Sequence, residues 1–328
     1  MAMTKTDEQP RLLWLNIAVF ALTTLTAVVA VPWFGIVNGY STAAWVSFGV
    51  FLCLNELSIT AGYHRLWTHG AYEAHWSVRL VFMLFGSMAV QNTILTWASN
   101  HRTHHRFVDE LERDPYCAKR GFWFSHIGWM LRDYASGRTD YSNVASLRRD
   151  PIVMFQHRHY VPLVIVTNFG FTALVGWLCG DVWGVMLLGG FLRLVASHHF
   201  TFFINSLAHL WGNQPYSDRN TARDNGVLAF LTFGEGYHNF HHAYGSDYRN
   251  GVRWWQWDPT KWLIRSLATV KLAYNLKHVP DVIIQRARLQ MQLRRIEARV
   301  ELAGSRWKLP DLDNLKAQLA TEYEALAA

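Results

Sequence analysis

Four stretches of the chain are apolar for long enough to cross a lipid bilayer, and no other feature narrows its fold as much. Residues 12–34, LLWLNIAVFALTTLTAVVAVPWF, run for about 23 residues without a charge. At about 1.5 Å per residue, a helix of that length spans a hydrocarbon core about 30 Å thick. The run is too long for a signal-peptide core and lacks a small-residue cleavage site. A turn at 35–40 leads to a second run at 41–63, interrupted only by Asn55 and Glu56. Residues 160–178 and 182–205 form a second pair, joined through 179–181. Short links make each pair an antiparallel hairpin. Arg193, His198 and His199 leave the fourth run the least apolar, which points it at a polar interior. The expected architecture is therefore an all-α integral membrane protein with four transmembrane helices in two hairpins.

Residues 75–98 are amphipathic and carry Arg79, Gln91 and Asn92, so they read as an interfacial helix. Residues 262–276 are a second candidate, following the cluster Trp254, Trp255 and Trp257 that suits a membrane interface. The two hairpin links carry no Lys or Arg, whereas residues 64–158 carry twelve. The positive-inside rule then places residues 64–158, residues 206–280 and both termini on the cytoplasmic side, as a helical cap. The formal charge of +7 follows from this topology. With no recognition motif beside it, the bilayer rather than nucleic acid is the expected partner. With 51% hydrophobic and only 17% charged residues, the chain is not a disordered segment, and its three cysteines are too few for a disulfide scaffold. Residues 1–280 read as one unit. Residues 281–328, rich in Arg, Glu, Gln, Leu and Ala, read as one or two amphipathic helices with no catalytic role.

Of sixteen histidines, nine fall into four groups: HRLWTH (His64, His69), HRTHH (His101, His104, His105), NSLAH (His209, with Asn205) and HNFHH (His238, His241, His242). On a helix, positions i, i+3 and i+4 share a face, so each HxxHH presents three imidazoles on one stripe. Asn205 and His209 share a face in the same way. His64 and His69, at i and i+5, do not, and are expected to rely on unwinding of the second span. The hairpin topology brings all four groups to one depth just outside the membrane. Nine imidazole ligands are too many for one ion and suit two. A nitrogen-rich, carboxylate-poor pair with open positions suits iron that activates O2. Glu110, Glu112, Asp114 and Glu235 are candidates to orient the ligands from outside. His75, His126, His157, His159, His198, His199 and His278 read as ordinary residues, with His157 and His159 at the surface.

In this order and between hydrophobic hairpins, HRLWTH, HRTHH and HNFHH resemble the three histidine boxes of integral-membrane fatty acid desaturases. The likeness is narrowest to the Δ9, stearoyl-CoA desaturase-like group and its bacterial relatives. Further matches are ITAGYHRLW (59–67), QNxxxxWxxxHRxHH (91–105), RGFWFSHIGW (120–129), TFFINSLAHLWG (201–212) and GEGYHNFHH (234–242). The resemblance implies a cytoplasmic cap holding a di-iron centre, and a kinked tunnel for the acyl chain. One iron would take His64, His69, His101, His105 and His241. The other would take His104, His209, His238 and His242, with Asn205 reaching it through a water. Gln91, Trp97 and Thr201 would line the bend of the tunnel, exposing the C9–C10 bond and fixing a cis product. Leu52 and Glu56 would stand where the tunnel ends. The resemblance also implies a bacterial inner-membrane location.

Two positions depart from the animal enzymes. Ser99 and Asn100 replace the arginine and aspartate that precede the second box, and the basic pair after the cap's GW is Arg132 followed by Asp133. Both weaken the usual contacts to CoA phosphates and leave acyl-CoA, acyl carrier protein and a membrane glycerolipid open as carriers. No haem-attachment CxxCH, cysteine quartet or GxGxxG is present, so electrons must come from a separate protein such as a ferredoxin or rubredoxin with its reductase. Cys53, Cys117 and Cys179 read as buried thiols. A membrane hydroxylase with the same metal centre, and a non-enzymatic metal or haem carrier, are the competing readings.

Overall fold

The computed structural model describes residues 10–303 and 310–326. Among the described residues, four helices are long and apolar enough to span a membrane: α1 (Trp14–Asn38), α2 (Thr42–Thr68), α7 (Tyr160–Cys179) and α8 (Val182–Leu210). Between them lie α3 (Trp76–Ser87), α4 (Ile94–Phe107), α5 (Phe122–His126) and α6 (Pro151–Arg158). After them come α9 (Gly226–Leu231), α10 (His238–Ala243), α11 (Pro259–Thr269), α12 (Asp281–Ala303) and α13 (Pro310–Ala325). The described strands are β1 (Glu73–Ala74) and β2 (Ala273–Tyr274), antiparallel, with Glu73 opposite Tyr274.

The first hairpin link is shorter than the sequence suggests. Helix α1 continues through most of the expected turn and stops at Gly39, whose φ of 73° a side chain with a Cβ would resist. Gly180, also at φ 73° but in left-handed helical backbone, ends α7. Ser41 then caps α2 by accepting from the Ala44 amide, and Asp181 caps α8 by accepting from the Gly184 amide. Ser41 Oγ also donates to Asp181 Oδ2 at 2.5 Å, which ties the two hairpins together at the end away from the histidines.

The outer faces of the spans are apolar and exposed (Leu15, Leu22, Val28, Ile36, Trp177), as a lipid-facing surface requires. The polar interior expected of α8 is present. Arg193 is fully buried and donates to Asn55 Oδ1, Asn168 Oδ1 and the carbonyls of Met88 and Gly189. Cys117 is buried as expected, but Cys53 and Cys179 are exposed, because they sit on the outward faces of α2 and α7.

The interfacial stretch expected over 75–98 is two helices. The chain breaks between α3 and α4, where Val90 (φ 53°) and Asn92 (φ 70°) adopt left-handed backbone. The carbonyls freed there find partners on α8, since Arg193 donates to Met88 O and His198 Nε2 lies 2.9 Å from Ala89 O. Thr93 restarts the chain by capping α4. The second interfacial candidate, 262–276, is α11 followed by β2, and Trp254 and Trp255 before it are exposed. The tail is two helices that pack together, with Lys316 Nζ 3.1 Å from Glu297 Oε1. Helix α12 buries Ile284, Leu289, Met291 and Ile296.

Candidate metal centre

Helix α2 does not unwind before the first box; it widens. Over Ser58–Thr68 the backbone bonds run from i+5 to i, and the His69 amide donates to the His64 carbonyl at 3.1 Å. Such a turn carries more residues than an α-helical turn, so residues five apart come to stand one above the other. His64 and His69 therefore reach the same point, with ring centroids 4.8 Å apart. Helix α4 supplies His101, His104 and His105 from one stripe, α10 supplies His238, His241 and His242, and the last turn of α8 supplies His209.

These nine imidazoles form two groups, each with ring nitrogens converging within 4.8 Å of one another: His64, His69, His101, His105 and His241, then His104, His209, His238 and His242. In the first, Nε2 of His241 is 3.0 Å from that of His64 and 2.9 Å from that of His105. In the second, Nε2 of His238 is 3.1 Å from those of His209 and His242. Ligands held about 2.1 Å from one cation sit at about this spacing from each other. Neutral imidazoles packed this way cannot all donate to one another, and Nε2 of His69 is buried with no hydrogen-bond partner. A cation at each centre satisfies these lone pairs, so the donor set fits two metal ions. The structure brings together all nine histidines named from the sequence.

The outward-facing nitrogens are held by a ring of polar partners. His64 Nδ1 is 2.8 Å from Glu235 Oε2, and His104 Nδ1 is 2.8 Å from Asp114 Oδ1. His209 Nδ1 is 2.9 Å from Thr221 Oγ1, and His101 Nδ1 is 3.1 Å from the Tyr116 hydroxyl. Each contact turns Nε2 toward its centre. Of the four candidate carboxylates, Asp114 and Glu235 take this role. Glu110 and Glu112 are exposed, and Glu110 pairs with Arg113 instead. Thr221 and Tyr116 were not legible, because their residue types are common and their partners lie in other segments.

The electrostatics agree. Burial first, and then neighbouring imidazoles, hold His101, His105, His238, His241 and His242 well below the ordinary histidine range, so they stay neutral and able to ligate. Burial would raise Glu235, but His64 and Arg65 outweigh it and hold the carboxylate ionised, at about 2.

A cavity of about 640 Å³ runs past both groups. Gln91, Trp97 and Thr201 line it beside His64, His101 and His238. Gln91 Nε2 donates to Thr201 Oγ1 at 2.8 Å, and Trp97 Nε1 points to Gln91 Oε1 at 3.4 Å, so the three act as one wall. Asn205 and Glu56 also line the cavity; Glu56 is buried, with Oε1 unpartnered. Arg132 lines it at the cap, where its guanidinium donates to the Pro10 carbonyl. Leu52 does not line it, because it lies one turn beyond Glu56 on α2, past the cavity's end. His198, set aside from the sequence, does line it, as do Asn16, Val19 and Phe20 of α1.

Residues 40–278 match the family described as fatty acid desaturase. The chain is 45% identical over 251 residues to acyl-CoA desaturase 1 of Saccharomyces cerevisiae, covering 76% of this chain and 49% of that protein. It is 40% identical over 297 residues to the acyl-CoA Delta12-desaturase of Acheta domesticus, covering 86% and 80%. It is 36% identical over 290 residues to stearoyl-CoA desaturase 2 of Mus musculus, covering 83% and 78%. The chain thus spans about half the length of the yeast protein and most of the other two. All three relatives are eukaryotic, and none supports the bacterial subtype expected above.

Proposed function

The chain belongs to the fatty acid desaturase family, and from that premise we propose that it inserts a cis double bond at C9–C10 of a saturated fatty acyl chain. One observation carries the reading: two groups of imidazoles converge beside a cavity wall built from Gln91, Trp97 and Thr201. The names of the yeast and mouse relatives favour acyl-CoA as the carrier, with an acyl-lipid as the alternative.

The nine histidines would hold two iron ions, with Asn205 contributing through a water. Iron, given two external electrons and O2, supplies the oxidising power that no side chain has, and O2 leaves as water. The protein's own part is positional. Gln91, Trp97 and Thr201 bend the chain so that two adjacent methylenes face the imidazole groups. The apolar lining of Leu13, Val19, Phe20 and Val164 keeps water from the reacting carbons. Glu56 closes the deep end and Arg132 stands at the mouth, where a carrier's phosphate would meet it. Asp114, Thr221, Tyr116 and Glu235 hold the ligand rings in register. The cap and both termini would face the cytoplasm, where a ferredoxin, a rubredoxin or a similar carrier delivers the electrons.

Expression in a host fed stearate, with gas chromatography of the lipids, tests the reading. It predicts a new cis monoene that His105→Ala and His238→Ala abolish. An alcohol in its place would make the protein a hydroxylase, and retained activity in either variant would break the ligand assignment.

A further inference from the structure

On the reading above, electrons reach the site from outside the chain, and one face of the molecule is shaped for a negatively charged surface. A pocket of about 350 Å³ lies between the cap loop 212–223 and α12. Arg223, Arg294 and Arg295 line it, against one carboxylate among the described residues, Asp218. Arg294 pairs with Asp218 at 2.5 Å. The other two guanidiniums are held by backbone carbonyls, Arg295 by Gln214 O at 2.7 Å and Arg223 by Gly212 O at 3.2 Å. These contacts fix the positions without cancelling the charges. Nε of Arg223 is buried and has no partner among the described residues. Arg219, exposed on the same loop, adds to the positive field.

The loop is also wired to the second imidazole group. Thr221 Oγ1 is 2.9 Å from His209 Nδ1. The Arg223 amide donates to the Ala208 carbonyl at 2.7 Å, and the His238 amide donates to the Arg223 carbonyl at 3.3 Å. The floor of the pocket is thus bonded on both sides to the chain that carries His209 and His238. From Arg223, two residues of backbone and one hydrogen bond reach a ligand imidazole. Helix α12 lies outside the matched residues 40–278, so membership of the family does not by itself account for its half of the face.

We propose that this face docks the electron-donor protein, a small one-electron carrier with an acidic surface, and that electrons enter through Thr221 and His209. The proposal rests on the desaturase reading. Each double bond consumes one O2, two electrons and two protons; two C–H bonds break, one carbon–carbon π bond forms and two waters leave. Two carriers are therefore oxidised per turnover, which favours contacts that are charged, fast to form and easily released.

The test uses the full-length protein in lipid nanodiscs and two probes, a plant-type [2Fe–2S] ferredoxin and a rubredoxin. Binding is measured by interferometry for the unaltered protein, R294E/R295E, the neutral pair R294Q/R295Q, and R148E/R149E, an exposed basic pair elsewhere on the cap. The expected result is salt-sensitive binding of at least one carrier. It weakens about tenfold or more in R294E/R295E and by less in R294Q/R295Q, and is unchanged in R148E/R149E. Equal binding by all four proteins, equal loss in both charge reversals, or no binding of either carrier to the unaltered protein overturns the proposal. Binding that behaves as expected in a protein that forms no double bond leaves the docking face standing and removes the desaturase reading.

Discussion

Nδ1 of His64 lies 2.8 Å from Oε2 of Glu235, with the two side chains only 5% and 2% exposed. The other carboxylate oxygen takes Arg65 Nη2 at 2.8 Å, so the acid is anchored and cannot swing away from the ring. The contact commits Nδ1 to the carboxylate and Nε2 to the first imidazole group. Glu235→Gln is therefore expected to weaken iron binding about 10–100-fold, because the ring loses the partner that orients it. Iron per chain after dialysis against a graded chelator series measures this. An unchanged iron content would remove Glu235 from the support of the site.

Thr201→Val deletes the hydroxyl that accepts from Gln91 at 2.8 Å while keeping the volume of the side chain. The expected loss is about 1 kcal/mol, which is about fivefold in kcat/KM, with iron content unaltered. Gas chromatography should also show a wider spread of double-bond positions, since Gln91 and Trp97 lose their fixed wall. A variant with the parent's rate and a single product position would contradict the assignment.

Arg193 tests the buried polar network among the spans. Arg193→Met leaves Asn55 Oδ1, Asn168 Oδ1 and the Met88 carbonyl without their donor. Each stranded acceptor costs about 1 kcal/mol or more, so a total near 3 kcal/mol is expected. Thermal unfolding in detergent, followed by tryptophan fluorescence, should show a Tm lower by several degrees. Metal ligation should survive in the folded fraction, because no histidine of either group touches this side chain.

Asp224 gives the stability a pH dependence. Burial raises its carboxyl to about 7 in spite of the Phe240 amide that donates to it. Folded protein then holds the proton more tightly than unfolded chain does. The resulting stabilisation is complete below the ordinary aspartate value of 3.8 and is lost as pH rises through about 7. Asp224→Asn keeps an acceptor for the Phe240 amide and cannot ionise. Its Tm should fall less between pH 5 and pH 8 than the parent's does, and identical slopes would refute this account.

Much of the fold was written in the sequence because a bilayer imposes a length on each apolar run, and four runs meet it. The two HxxHH groups were legible for a related reason: i, i+3 and i+4 share a face on any α-helix. His64 and His69 were harder, since i+5 needs the wide turn of 58–68. That turn is held by side-chain bonds to its own carbonyls, Thr68 Oγ1 to Tyr63 O and the Tyr72 hydroxyl to Ala61 O, which the spacing of the histidines does not announce. The break between α3 and α4 was invisible because its cause, Arg193 and His198, lies more than a hundred residues away. The supports of the histidine rings at Thr221 and Tyr116 were missed because hydroxyl residues are common and nothing in the spacing pairs them with His209 and His101. Leu52 lies off the cavity because family position alone does not tell where this cavity ends.

The most direct measurement is gas chromatography–mass spectrometry of stearoyl-CoA incubated with the iron-loaded protein, O2 and a one-electron donor. The account predicts an acyl chain two mass units lighter, with one cis double bond at C9–C10 and no oxygen gained. A product sixteen units heavier, or unchanged stearate from a protein carrying two irons per chain, would contradict it.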